Sequence, residues 1–201
     1  MAKEPTSKSE RLARGAPVAQ PDDEAQLMRR IRAHDLRAFE TLYRRYHPRL
    51  TRFITNLIRR PQLVEEVLND TMLVVWNKPD SYNGSSRLST WIFAIAYRKA
   101  LKALSRYDEP LDDVLAERRA SVEPGPDQQL DRRQMQAALL DAMRQLSPDH
   151  RAVVDLTYFH EIGYREIAEI MDCPVDTVKT RMFYARRHLK RVLAGGPADW
   201  L

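Results

Sequence analysis

The densest chemistry in this 201-residue sequence is basic and lies near the C-terminus. Lys179, Arg181, Arg186, Arg187, Lys190 and Arg191 stand against a single acid, Asp176, within one helical stretch. Side chains of this type neutralise phosphate and donate to base edges, so the pattern points to nucleic acid. Thr177 and the free N–H groups of a first helical turn suit a phosphate oxygen. Other reactive residues form no such group. His160-Glu161 resembles the start of a zinc-protease helix, but Tyr164 stands where the second histidine is needed. The one cysteine, Cys173, excludes an internal disulfide and a multi-cysteine metal site. No glycine-rich phosphate loop and no Ser/His/Asp grouping is suggested by spacing. The chain is therefore expected to be no enzyme and to need no cofactor or metal.

The elements around the basic stretch define its use. Tyr164 to Met171 reads as a short amphipathic helix, Asp172-Cys173-Pro174 as a break, and Val175 to about Leu193 as a second helix. Two helices joined by about three residues form a helix-turn-helix. Ile167, Ile170, Val178 and Met182 fill its small core, and Ala168 permits a close crossing. Upstream, Ser147 caps a helix with Pro148 at its first position.

The first half has a different character. Apolar steps of three and four run through Leu27, Ile31, Phe39, Leu42, Tyr43 and Tyr46, resuming past Pro48 with Leu50, Phe53, Ile54 and Leu57. Pro61 opens a helix to about Trp76, with Val64, Val67, Leu68, Thr71 and Val75 inward and Glu65, Glu66, Asn69 and Asp70 polar. Lys78 to Leu88 has the composition of a loop. Ser89 or Thr90 is expected to cap the next helix, which carries Trp91, Ile92, Ile95 and Ala96, then Arg98, Lys99 and Lys102. Between the halves, seven acids from Asp108 to Asp127, interrupted by Pro110, Pro124, Gly125 and Pro126, read as a flexible acidic linker.

The fold expected is all-α, with two small helical domains. The boundaries are a disordered arm over 1–22, a first domain over 23–106, a linker over 107–130, a second domain over 131–194 and a tail over 195–201. Formal net charge is +5 and hydrophobic residues make up 43%. Neither a signal peptide nor an apolar run of about 18 residues is present, so no membrane insertion is expected and the cytoplasm is the default.

The residues now resemble a known family. Glu166-Ile167-Ala168, Cys173-Pro174-Val175, Thr177-Val178-Lys179 and Arg181 are similar to region 4 of sigma-70-type factors, with Leu146, Pro148 and Arg151 leading in. Ala38-Phe39-Glu40, Leu42-Tyr43, Glu65-Glu66, Asn69-Asp70, Trp76, Trp91, Ile95-Ala96 and Arg98 are similar to region 2. The order and separation of the halves match the two-domain, extracytoplasmic-function (ECF) group of RNA polymerase sigma factors. Asp172 and Asp176 depart from common glycines, Tyr184 from a basic residue, Asn69 and Met72 from Gln and Phe, and Lys99 from Asn.

That resemblance implies roles. Glu65, Glu66, Asn69 and Asp70 would meet the β′ coiled coil of core RNA polymerase, and the second domain the β flap. Asn83, Ser85 and Ser86 would cradle a base flipped from the −10 element, Trp91 would stack or anchor, and Arg98, Lys99 and Lys102 would approach the −10 duplex. Thr177, Lys179, Arg181, Arg186, Arg187 and Lys190 would read the −35 element in double-stranded DNA. An anti-sigma factor is an implied partner, and the free chain can fold its halves together, masking both surfaces. The competing reading is a helix-turn-helix regulator that acts without polymerase.

Overall fold

The computed structural model describes residues 21–58, 60–106 and 138–193. The expected arm up to residue 20, the acidic linker and the tail lie outside the described residues. The first half comprises α1 (Pro21–Arg32), α2 (Leu36–Ile58), α3 (Pro61–Asn77), a 3-10 turn (Pro79–Ser81) and α4 (Leu88–Arg106). The second comprises α5 (described over 138–144), α6 (Pro148–Tyr158), α7 (Tyr164–Met171) and α8 (Val175–Leu193). Among the described residues there is no strand.

Local chemistry sets the corners. His34 turns left-handed at φ 56° between α1 and α2. Asp35 then caps α2, its Oδ1 accepting from the backbone N–H groups of Arg37 at 2.9 Å and Ala38 at 3.2 Å. Arg30 donates to its Oδ2 at 2.9 Å. That side-chain bond, with the Ala38 N–H next, holds the Asp35 carboxyl below its ordinary pKa.

Pro48 does not break α2, which runs continuously through it. A proline costs the helix one N–H bond and some steric strain. Here the fully buried Leu42, Tyr46, Leu50, Phe53 and Ile54 flank it on the core face and hold the helix together. The Tyr46 hydroxyl donates to Glu24 at 3.0 Å, and burial first, then that carboxylate, pushes its pKa up.

Pro61 opens α3 as expected, but neither Ser89 nor Thr90 caps α4. The helix begins at Leu88, with the Trp91 N–H bonded to the Arg87 carbonyl at 3.1 Å. Leu88 is wholly buried, and Thr90 sits inside the first turn and is buried too. Core anchoring places this start two to three residues ahead of the cap signal. Ser147 does cap α6, accepting from the His150 N–H, with Pro148 behind it.

The two halves share one continuous core. Helix α2 packs on α3 and α6, while α4 packs on α3 and α7. Helix α4 is buried almost all round, with every residue from Ile92 to Tyr97 buried. A helix at the surface of a lone domain hides one stripe. Six consecutive buried residues require neighbours on opposite sides, and α7 supplies the second.

Candidate promoter and polymerase interface

The helix-turn-helix falls where the periodicity placed it. Ile167, Ile170 and Val178 are fully buried between α7 and α8, with Met182 and Ala168 beside them. The turn is closed by Asp172 in the left-handed region at φ 50° and ψ 54°. Its N–H bonds the Ala168 and Glu169 carbonyls, and the Cys173 N–H reaches the Ala168 carbonyl at 3.0 Å. This is a helix C-cap normally suited to glycine, and Asp is among the few other residues that tolerate it.

The basic face of α8 is only partly open. Lys179, Arg186, Arg187 and Lys190 are exposed. Lys179 pairs with Asp176 at 2.9 Å, so that acid is satisfied on its own helix. Arg186 donates two bonds to the Tyr158 hydroxyl, at 2.9 and 2.6 Å. Thr177 is half-buried, and its N–H already bonds the Pro174 carbonyl at 2.9 Å. Arg181 differs from the rest. Its guanidinium is paired with Asp149 of α6 and lies 3.6 Å from the Cys173 sulfur. Tyr184 is exposed beside Phe183, and with Leu146, Ser147, His150 and Arg187 it lines a groove of about 840 Å³.

The loop after α3 is internally organised. Gly84 takes φ 77°, a conformation that L side chains rarely adopt. Asn83 Oδ1 accepts from both the Ser85 N–H at 2.9 Å and the Ser85 hydroxyl at 2.6 Å. The Tyr82 hydroxyl donates to the Ser86 carbonyl at 2.9 Å, and Arg32 donates to the Tyr82 carbonyl at 2.6 Å. Trp91 is half-buried with its ring 5.3 Å from that of Tyr82. Asn83 and Ser85 stay exposed, and Ser86 is half-buried. Arg98 and Lys102 are exposed on the later turns of α4.

The acidic face of α3 is open. Glu65, Glu66 and Asn69 are exposed, and Leu73 extends the face with an exposed apolar side chain. Asp70 stands apart. It accepts a bond from Lys99 of α4 at 2.8 Å. A residue expected to meet polymerase and one expected to meet DNA are thus paired with each other.

Sequence reasoning missed the groups that join the halves: Asn56, Tyr97, Asp149, Asp155 and His160. The signal available was Asp155 itself, an acid inside the apolar run Val153-Val154-Asp155-Leu156.

Comparisons with known proteins agree with this layout. The description Sigma-70 region 2 matches residues 42–109, and Sigma-70, region 4 matches residues 136–189. The ECF RNA polymerase sigma-E factor of Haemophilus influenzae is 28% identical over 174 residues, covering 82% of this chain and 92% of that one. The RNA polymerase sigma-H factor of Pseudomonas aeruginosa is 28% identical over 182 residues, covering 86% and 94%. Among solved structures, the sigma factor RpoE in complex with the anti-sigma factor NepR, from Bartonella quintana, superposes with a TM-score of 0.63 at 25% identity, covering 81% of this chain and all of that one. CnrH in complex with the cytosolic domain of CnrY shares the fold, with a TM-score of 0.64 at 22% identity over 88% of this chain and 100% of that one. The chain belongs to the sigma-70 family, within its extracytoplasmic-function group of RNA polymerase sigma factors.

Proposed function

We propose that this sigma factor docks on core RNA polymerase through the exposed acidic face of α3 and directs initiation at promoters read by its two halves. The observation that carries the reading is the pairing of two unlike surfaces in one chain. Glu65, Glu66 and Asn69 face solvent on the first half, and a basic recognition helix stands on the second. An acidic helical face suits a basic protein partner, and the basic helix suits phosphate and base edges. On this reading the Asn83–Ser86 loop takes an unstacked −10 base, Trp91 borders it, and Arg98, Lys99 and Lys102 follow the duplex. Thr177, Lys179, Arg181, Arg186, Arg187 and Lys190 serve the −35 element, and the β flap is the polymerase partner of the second half.

A helix-turn-helix regulator acting without polymerase is disfavoured, because it leaves the region 2 half without a role. The chain is also read as the target of an anti-sigma factor, since RpoE of Bartonella quintana, which shares its fold, was solved bound to one. The cytoplasm is where such a partner and polymerase would be met, and no helix among the described residues is long and apolar enough to cross a membrane.

Run-off transcription with purified core polymerase on genomic fragments tests the function. Discrete start sites that depend on this chain are expected. Failure to capture core polymerase at low salt removes the reading. Binding of the free chain to duplex DNA should be weak and fall steeply with salt, as counterion release requires.

A further inference from the structure

The loop proposed to take a −10 base is held by a side chain from outside it. Arg32 stands in the last turn of α1, and Leu27, Met28 and Ile31 of that helix are buried in the core. The backbone that carries Arg32 is therefore a fixed origin. Its guanidinium forks. Nη2 donates to the Tyr82 carbonyl at 2.6 Å, and Nε lies 3.3 Å from a carboxylate oxygen of Asp80. An arginine presents its donors in one rigid plane, whereas a lysine ammonium is a point charge on a flexible stem.

The bonded carbonyl belongs to the peptide that joins Tyr82 to Asn83. A peptide is planar, so fixing its oxygen fixes the plane and the direction in which the chain enters Asn83. Beyond that point the loop closes on itself. Asn83 Oδ1 accepts from the N–H and the hydroxyl of Ser85, and Gly84 makes the bend at φ 77°. The Tyr82 hydroxyl then returns to the Ser86 carbonyl at 2.9 Å. These bonds set the internal shape of the loop but not its placement on the domain. Arg32 from α1 and Trp91 from α4, whose ring lies 5.3 Å from that of Tyr82, supply that placement.

The Arg32–Asp80 pair is a poor source of stability. The two side chains are 36% and 88% exposed, and ion pairs so open add little. What the contact adds is order. A loop held in its binding form loses less freedom when it binds, and reading a base edge requires polar groups held to a narrow geometry.

We propose that Arg32 is a positioning residue for base recognition. It pins the Tyr82–Asn83 peptide and so sets the Asn83–Ser86 loop to discriminate among unstacked −10 bases. This role rests on the reading of that loop given under the proposed function. Arg32 acts through the loop and not on the DNA. The two roles differ in what they change: positioning alters the ratio between bases, while a phosphate contact alters every affinity alike.

Holoenzyme assembled from core polymerase and the full chain tests it. The probes are fluorescein-labelled single-stranded oligonucleotides with the non-template −10 sequence of a promoter mapped by run-off transcription. Each −10 position in turn carries one of the four bases or no base. Wild-type holoenzyme should prefer one base at one position, and Asn83→Ala should shrink that preference. Arg32→Ala should shrink it several-fold at the same position, yet bind the oligonucleotide lacking that base as the wild type does. Arg32→Lys, which keeps the charge without the fork, should recover only part of the preference. A uniform fall on every oligonucleotide in Arg32→Ala, the one lacking the base included, makes Arg32 a phosphate contact and overturns the proposal. Should Arg32→Ala lose its helical circular dichroism, Arg32→Lys decides alone, and a full wild-type preference there overturns the proposal. An unchanged preference in Arg32→Ala beside a loss in Asn83→Ala overturns the positioning role and leaves the −10 reading standing. No base preference in the wild type, or none lost in Asn83→Ala, removes the loop reading and the positioning role with it.

Discussion

The two faces proposed to act differ in how many of their charges are already paired within the chain. The acidic face of α3 presents Glu65, Glu66 and Asn69 to solvent. The residues proposed to meet DNA are held unevenly: Arg98, Lys102, Arg187 and Lys190 are exposed, while Arg181 is held by Asp149 and Lys99 by Asp70. The difference also divides the cations of the −35 set into two kinds. Arg187 and Lys190 are exposed on α8, while Arg181 must exchange one anion for another.

The largest effect able to break this contrast is expected at Arg151. Its buried guanidinium ties carbonyls of both halves, and Arg151→Met should cost about 3 kcal/mol of folding stability, in the range for removing a buried, fully bonded charge. Urea denaturation measures it, and a loss below about 0.5 kcal/mol, the scale of surface substitutions, would show that the bridge is dispensable.

Charge reversal on the open face should come next. Glu65→Lys with Glu66→Lys should weaken core polymerase binding by about tenfold or more, since like charges across an interface are strongly unfavourable. Fluorescence anisotropy with labelled chain gives the answer, and wild-type affinity would place the polymerase face elsewhere. Arg181→Ala should reduce transcription from −35-dependent promoters by roughly tenfold, the value of a lost charged contact to DNA. Core binding should be unaffected, and an unchanged promoter footprint would remove Arg181 from the reading set.

A smaller change sharpens the helix-turn-helix itself. Asp172→Gly relieves a side chain in the left-handed region and should stabilise the chain by about 1 kcal/mol. A fall in melting temperature would mean that the Asp172 side chain contributes more than its conformation costs.

The smallest effect is one of pH. Burial first, then Arg181, lowers the pKa of His150 below its ordinary 6.5. A histidine whose folded pKa is depressed favours the neutral form, so the unfolded chain takes up protons first. Stability at this site should decline as pH falls from 6.5 towards the folded value, and His150→Gln should flatten that slope in thermal melts. Asp35 adds to the loss at lower pH, since its carboxyl is held below its ordinary 3.8 and its stabilisation disappears as it is protonated.

Much of the architecture was legible because it depends on near neighbours in the chain. Pro148 behind Ser147, Pro61 at a helix start and the three-residue break at Asp172 are read from a few adjacent residues, and each stands where expected. The start of α4 was misplaced because Leu88 is fixed by burial, which no local cap signal reports. Trp91 could be read as a platform or an anchor, and in the fold it is half-buried against Tyr82.

The sequence by itself determined the helices, the helix-turn-helix, the acidic and basic faces and their order, because periodicity, capping and charge act over a few residues. Tertiary structure alone decided which of those charges are available. Lys99 meets Asp70 across 29 positions, Asn56 meets Asp155 across 99, and Tyr97 meets Asp149 across 52. Contacts over such separations leave no periodic trace, since they arise from how two completed surfaces fit. They determine whether a basic residue is ready for DNA or already holds an anion of its own chain.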